Sequence, residues 1–308
     1  MTLQQLRYFA EIASQGWNIS QAAKVLHTSQ PGMSRQMHAL EQELAVKLFV
    51  RRRNRIAGLT EPGRAALALA QRMLGDAAKL KTLAGEDADV AAGSLTVAAT
   101  HTQARYVLPT AVKRFTRAHP HVQLYLKQGN PAELVRLVAA GQADICVCGM
   151  PRQLPDDVVM LPCFEVDRIV IARKGHPVLN AKRVTLDAIA RHPLITYDET
   201  FGMRESIVDR FERAGLTPHV VISAVDTDVM KTYTAAGVGI AIVASVAFNA
   251  RADRELGAIH ASNILGRDTI YVGVRRHAYL RRFVHDFVGL FAPNITRKEL
   301  SKAVGLQV

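Results

Sequence analysis

Residues 18–40 read NISQAAKVLHTSQPGMSRQMHAL, a stretch that two short helices separated by a four-residue break account for. Asn18 followed three positions later by Gln21 has the spacing of a capping box. It opens a helix through Leu26, with small Ala22 and Ala23 letting a neighbouring helix approach closely. His27 to Gln30 form the break. Thr28 or Ser29 then caps a second helix, in which Pro31 is tolerated because first-turn nitrogens need no partner. On that helix Met33, Met37, Leu40 and Leu44 form one apolar stripe, and Gln30, Ser34, Arg35 and His38 occupy the opposite face. Two helices joined by a tight turn, the second polar on its outer face, describe a helix-turn-helix that lays base-reading side chains in a DNA major groove.

The flanks extend this unit. Upstream, Leu3, Leu6, Phe9, Ala10 and Ala13 recur at helical spacing and Gly16 supplies a stop. Downstream, Lys47 to Val50 and Ile56 to Leu59 read as two short strands around a turn holding Arg51, Arg52, Arg53 and Arg55, a wing suited to phosphate or minor-groove contact. From Thr60 as cap and Pro62, an alanine-rich helix runs to about Ala84. Its Ala66, Ala70, Met73, Ala77, Leu80 and Ala84 alternate at spacings of four and three, a heptad seam for a second copy. The expectation is a winged helix-turn-helix DNA-binding domain over 1–60 and a linker and dimerisation helix with its hinge over 61–92.

Composition agrees with a polyanionic partner. The 308 residues carry 39 Lys+Arg against 27 Asp+Glu, a formal charge of +12, and residues 1–60 alone hold eight basic against three acidic side chains. At 49% hydrophobic and 21% charged, the chain is no disordered segment, and its length excludes a stapled mini-protein. A membrane-surface role fits poorly, because the basic residues do not line one face of an amphipathic helix. No run of 18 apolar residues and no leader pattern over Met1 to Ala10 occur, so a cytoplasmic protein is expected. Cys146, Cys148 and Cys163 lack zinc-ligand spacing, so no metal site is expected. Cys146 and Cys148, two apart on a strand, have poor disulfide geometry and read as buried thiols in preference to a redox switch.

Beyond residue 93 short apolar runs alternate with amphipathic helices. Strands are expected at Leu95 to Ala99, Val122 to Lys127, Ile145 to Val147, Arg168 to Arg173, Leu194 to Tyr197, Val220 to Ser223 and Ile240 to Ala244. Helices are expected at Tyr106 to Ala118, Pro131 to Ala140, Leu186 to Arg191, Arg204 to Ala214 and Val229 to Ala236. The alternation argues for open, mostly parallel sheets covered by helices. Two such series make an effector domain over 93–308, with lobe I at about 93–163 and 267–308, lobe II at about 164–266, and a ligand cleft between them. The overall class is α+β.

At Thr100 to Gln103 a strand ends and a helix is expected to begin near Arg105. Free amides there, with the side chains of Thr100, Thr102 and Gln103, make an anion site without formal positive charge, the plainer alternative being ordinary capping by a threonine. Tyr197, Thr200 and the turn at Phe201-Gly202 are the expected opposite wall. No nucleophile with an orienting acid is evident, so no catalytic residue, no enzyme activity and no cofactor is expected. Arg275, Arg276, Arg281 and Arg282 read as a solvated face or subunit contact in preference to a second DNA contact.

Leu6-Arg7-Tyr8-Phe9, Ser20 to Leu26, Ser29-Gln30-Pro31, Ser34-Arg35-Gln36, Leu40-Glu41, Leu48-Phe49 and Leu59 to Gly63 resemble the LysR-type transcriptional regulators. Thr100 to Tyr106, Val159 to Cys163, Ala214 to Pro218 and Phe291-Ala292-Pro293 resemble the CysB branch of that family. The resemblance covers nearly the whole chain. It implies a periplasmic-binding-protein-like effector domain and a homotetramer built on linker-helix dimers. The implied partners are double-stranded promoter DNA of imperfect two-fold symmetry, RNA polymerase, and a co-inducer that alters DNA bending. For the branch it implies control of sulfur assimilation or alternative sulfur sources by sulfate, thiosulfate, O-acetylserine, N-acetylserine or adenosine phosphosulfate. The expected DNA contacts are Gln30, Pro31, Ser34, Arg35, His38, Arg51, Arg52, Arg53 and Arg55. The expected effector contacts are Thr100, Thr102, Gln103, Gly149, Tyr197, Thr200 and Gly202. The chain departs from the branch at Gly149, where a threonine is usual, at Val166, where a tryptophan is usual, and in the turn from Asp198 to Met203. Losing a hydroxyl and an aromatic weakens a sulfate site or opens room for a larger ligand. The competing readings are a regulator of another pathway, such as aromatic catabolism, and a ligand-processing enzyme fused to a DNA-binding module.

Overall fold

The computed structural model describes residues 1–53, 55–82, 93–181 and 183–305. The expected hinge up to residue 92, and Ala84 of the expected seam, lie outside the described residues. The chain divides into two compact units, one N-terminal and one built from β3 onward.

In the first unit, α1 (Leu3–Ser14) starts from a reciprocal capping box of Thr2 and Gln5, and α2 (Ile19–Val25) from Asn18, whose side chain accepts the Gln21 amide. Ser29 caps α3 (Gln30–Glu43) by accepting from Gly32. Gly16, at φ +60°, makes the left-handed turn out of α1. Leu6, Phe9, Ile12, Ala22, Met33, Met37 and Leu40 close one core. Each large side chain buried there contributes roughly 1.5–3 kcal/mol. Strands β1 (Phe49–Arg52) and β2 (Arg55–Leu59) pair antiparallel, so the wing strands run further into the arginines than the apolar pattern implies. Thr60 caps α4 (Glu61–Thr82) by accepting from Gly63.

The expected seam on α4 is divided. Ala70 is buried in the core of its own unit, and Ala66, Leu67 and Leu74 pack against that core. Leu69, Met73 and Leu80 remain exposed. A heptad read from spacing cannot tell these two faces apart, because alanine fits either.

The second unit contains β3 (Gly93–Ala99), α5 (Leu108–Ala118), β4 (Val122–Gln128), α6 (Pro131–Ala139), β5 (Ile145–Gly149) and β6 (Val158–Arg173). Then come α7 (Leu186–Ala190), β7 (Leu194–Tyr197), α8 (Gly202–Arg213), β8 (Val220–Ala224), α9 (Thr227–Ala235) and β9 (Ile240–Ala244). The last are β10 (Leu256–His260), α10 (Ser262–Leu265), β11 (Arg267–Arg275), α11 (Arg282–Phe291) and α12 (Arg297–Ala303). Strand order is β4-β3-β5-β11-β6-β9-β7-β8, with β10 also on β6. Strand β6 serves two lobes: Val158 to Asp167 pair with β11, and Arg168 onward pair with β9 and β10.

The sheets are mixed, not mostly parallel. Pairs β3–β4, β3–β5, β7–β8 and β7–β9 are parallel, but β11 runs antiparallel to both β5 and β6, and β6 runs antiparallel to β9 and β10. The cause is connectivity: β6 carries the chain from one lobe to the other and β11 brings it back alongside. Pro162 hides the first half of β6 from a pattern reading. The register steps from Phe164↔Ile270 to Pro162↔Tyr271, leaving Cys163 as an extra residue, and a bulge is where a strand admits proline. No helix among the described residues is long and apolar enough to cross a membrane.

Candidate DNA-reading face and effector cavity

The polar face of α3 is set by the burial of its other side. With Met33, Met37 and Leu40 fully buried, Gln30, Pro31, Arg35 and His38 are exposed and Ser34 is half-buried. Arg51, Arg52, Arg53 and Arg55 are exposed on the wing, with Arg53 at φ +47° in its turn. Sequence reasoning missed Glu41. This residue is buried, and one carboxylate oxygen accepts the amides of Leu48 and Phe49 at 2.8 and 3.2 Å, tying the end of α3 to the start of the wing. Its other oxygen lies 3.7 Å from His38 Nδ1 and 3.8 Å from Arg51 Nη2. Arg35, Arg52, Arg53 and Arg55 form no ion pair among the described residues.

In the second unit, the carboxyl ends of β3, β5, β7 and β9 converge on one cavity of about 260 Å³. Thr100, Thr102, Gln103, Gly149, Tyr197 and Gly202 line it. The helix after β3 begins at His101, earlier than its apolar pattern implies, and passes through a π-turn (Gln103–Val107) before α5. Its first backbone bond runs from the Ala104 amide to the Thr100 carbonyl, 2.9 Å, which leaves the amides of His101, Thr102 and Gln103 without intrahelical acceptors. Across the cavity α8 starts at Gly202 without a side-chain cap. Two positive helix ends from opposite lobes thus meet one space. Gln103 is 4% exposed, and its Oε1 has no partner among the described residues. A side chain built on Gly149 would meet nothing within 4 Å.

Thr102 and Tyr197 are joined through a residue the sequence reading passed over. Thr227, fully buried at the start of α9, lies 2.8 Å from Thr102 Oγ1 and 2.7 Å from the Tyr197 hydroxyl. Burial pushes the Tyr197 phenol above its ordinary range, so it stays a neutral hydroxyl. One turn on, Tyr106 donates to Asp228 at 2.6 Å and Arg105 pairs with it at 2.8 Å.

Thr200 is not brought to this cavity. Its amide is held by the Asp198 carboxylate at 3.0 Å, a local turn that puts Thr200 and Glu199 on a separate groove with Arg136 and Arg152.

The expectation of a site without formal charge is corrected by Arg168, which is 1% exposed and lines the cavity. Its Nε donates to Asp268 at 2.8 Å, Nη2 also pairs with that carboxylate, and Nη1 donates to the Leu265 carbonyl at 2.6 Å. Arg267, also in the wall, is held by Asp167 and Glu165 at 2.8 and 3.2 Å. Arg168 and Asp268 stand 100 residues apart, and no local pattern in the sequence announces the pair.

The C-terminal arginines are not one solvated face. Arg275 and Arg281 are each 8% exposed, and Arg281 donates to the Ser94 carbonyl and stacks on Phe283, whereas Arg276 and Arg282 are exposed. All three cysteines are buried and free, and burial pushes the Cys163 thiol up to about 12.

Comparison with known proteins gives a consistent picture. Residues 3–64 match the family of bacterial regulatory helix-turn-helix proteins of the lysR type, and residues 88–294 match the LysR substrate binding domain. The chain is 40% identical over 301 residues to the HTH-type transcriptional regulator SsuR of Burkholderia cenocepacia, covering 98% of each chain. It is 40% identical over 304 residues to the HTH-type transcriptional regulator CysB of the same organism, covering 99% of this chain and 97% of that one. The crystal structure of the cofactor-binding domain of the Cbl transcriptional regulator superposes with a TM-score of 0.66 at 34% identity, over 69% of this chain and 93% of that one.

Proposed function

The chain belongs to the LysR family of DNA-binding transcriptional regulators, which are not enzymes, and we propose that it governs genes of sulfur assimilation or alternative sulfur-source use. A small anionic sulfur-related metabolite between the two lobes is the proposed signal. The observation that carries the ligand reading is the cavity itself, lined by Thr100, Thr102 and Gln103, on which helix starts from both lobes converge. The pathway rests on the similarity to the CysB branch, at 40% identity to one curated CysB.

In this reading Gln30, Ser34 and Arg35 touch base edges, Pro31 and His38 flank them, and Arg51, Arg52, Arg53 and Arg55 reach phosphate or the minor groove. The exposed Leu69, Met73 and Leu80 stripe on α4 supports pairing with a second copy, the basis for a two-fold operator. Tetramer assembly and contact with RNA polymerase belong to the same proposal.

Footprinting on the promoter beside the protein's own gene tests it. The panel is sulfate, thiosulfate, O-acetylserine, N-acetylserine and adenosine phosphosulfate. A protected two-fold site whose pattern shifts with one panel member is expected. Protection that no member alters would assign the regulator to another pathway, and turnover of a ligand to product would overturn the regulatory reading of the cavity.

A further inference from the structure

We propose that Thr227 is a positioning residue of the cavity: from behind its wall it accepts a hydrogen bond from Tyr197 and donates one to Thr102, leaving the Thr102 hydroxyl aimed as a donor into the cavity. This rests on the reading of the cavity as the effector site and adds to it the residue that sets the direction of one contact.

The hydroxyl protons can be counted. Thr102, Thr227 and Tyr197 own three and share two hydrogen bonds, at 2.8 and 2.7 Å, so one proton is left over. It is not that of Thr227. This residue is 0% exposed and its hydroxyl forms no other hydrogen bond among the described residues, so a spare proton there would be a stranded buried donor. Tyr197 and Thr102 line the cavity, and Thr227 does not. Of those two, the phenol is the stronger acid and the poorer acceptor, so the chain of bonds starts at Tyr197 and runs through Thr227 to Thr102. The spare proton is then that of Thr102, which is 8% exposed and spends no bond on capping the π-turn that follows it.

Neighbouring contacts separate this task from simple attachment of one lobe to the other. Beside Thr227, Asp228 accepts from Tyr106 at 2.6 Å and pairs with Arg105 at 2.8 Å. Further along α9, Lys231 donates to the Tyr106 hydroxyl at 3.2 Å and pairs with Asp253 at 2.7 Å. That clasp joins the same two segments without any atom of Thr227. Removing the Thr227 hydroxyl therefore frees the direction of Thr102 while the π-turn and α9 stay joined.

Calorimetry on the full-length protein tests it, with whichever of sulfate, thiosulfate, O-acetylserine, N-acetylserine and adenosine phosphosulfate binds the wild type most tightly. Thr227→Val, which keeps the shape and removes the hydroxyl, should weaken that probe about threefold to tenfold, the range that one net hydrogen bond supplies. Thr227→Ser keeps the hydroxyl and should stay within about twofold of wild type. Thr102→Val should weaken binding at least as much as Thr227→Val, and the double variant should be no weaker than Thr102→Val alone, because Thr227 acts only through Thr102. A merely structural residue would lower affinity equally in both backgrounds. Near-UV circular dichroism checks folding, and Thr227→Ala repeats the cycle should Thr227→Val not fold. Wild-type affinity in Thr227→Val, Thr227→Ser as weak as Thr227→Val, or losses that add in the double variant overturn the proposal and leave the effector reading standing. Silence of the wild type toward all five probes overturns both.

Discussion

Arg35, Arg52, Arg53 and Arg55 stand in water with no acidic partner among the described residues, whereas Arg168 is fully enclosed and bound to Asp268 and the Leu265 carbonyl. In the proposed reading the two regions meet different anions. A DNA backbone is a long line of charge that releases counter-ions when it is met, so a surface reading it keeps its cations free and mobile. A small ligand must be recognised in a closed space, where a free cation would be costly to desolvate and poorly selective. There the chain supplies fixed dipoles and neutralises its own charges. Arg51 lies between these cases, since it leans on buried Glu41 at 3.8 Å.

The largest expected effect breaks the enclosed side. Arg168→Ala leaves the Asp268 carboxylate without its partner and should destabilise the effector unit by about 3–5 kcal/mol in urea unfolding. The double replacement Arg168→Met with Asp268→Leu should recover most of that loss, and failure to recover would mean the guanidinium is needed for its carbonyl contact instead. Next, Arg35→Ala should cost about 1–3 kcal/mol of discrimination between operator and random DNA, with stability changed by no more than about 0.5 kcal/mol. Equal weakening on both DNAs would move Arg35 to the phosphate-contacting class.

A third test concerns a buried neutral group. Because the folded-state pKa of Cys163 is raised, its contribution to stability is complete below the unfolded thiol value near 8.5 and is lost as pH rises toward about 12. Wild type should therefore lose about 2 kcal/mol more than Cys163→Ala between pH 8 and pH 10, and no thiol should react with an aromatic disulfide in the folded protein at pH 7.5. Rapid reaction of one thiol per chain would restore a redox role. The smallest effect sharpens the exposed side. Arg52→Ala should lower the salt-dependence slope of DNA binding by about 0.9, roughly a threefold difference between 50 and 200 mM salt, and Arg51→Ala should lower it less.

The N-terminal unit was legible almost residue by residue because its signals are local. Asn18, Ser29 and Thr60 cap the helices that their spacing implies, and the Met33, Met37, Leu40 stripe is buried. The α/β alternation was legible as far as β9. Strands β10 and β11 were not read, since β11 belongs to the sheet only by returning from the far lobe. The cavity-lining segment at Thr100 to Gln103 was visible as a strand end before a helix, but Thr200 lies outside that cavity because an Asx turn of its own neighbours turns it away.

The sequence by itself determined the helix-turn-helix, the wing and the alternation of strands and helices from β3 to β9, for these follow from interactions three or four residues apart and from alternating burial. The tertiary structure alone decided which hydroxyls and charges share the cavity. Thr102 meets Thr227 across 125 residues and Arg168 meets Asp268 across 100, because β6 and β11 cross between lobes in opposite directions. No pattern of spacing encodes a contact made only when the sheets close.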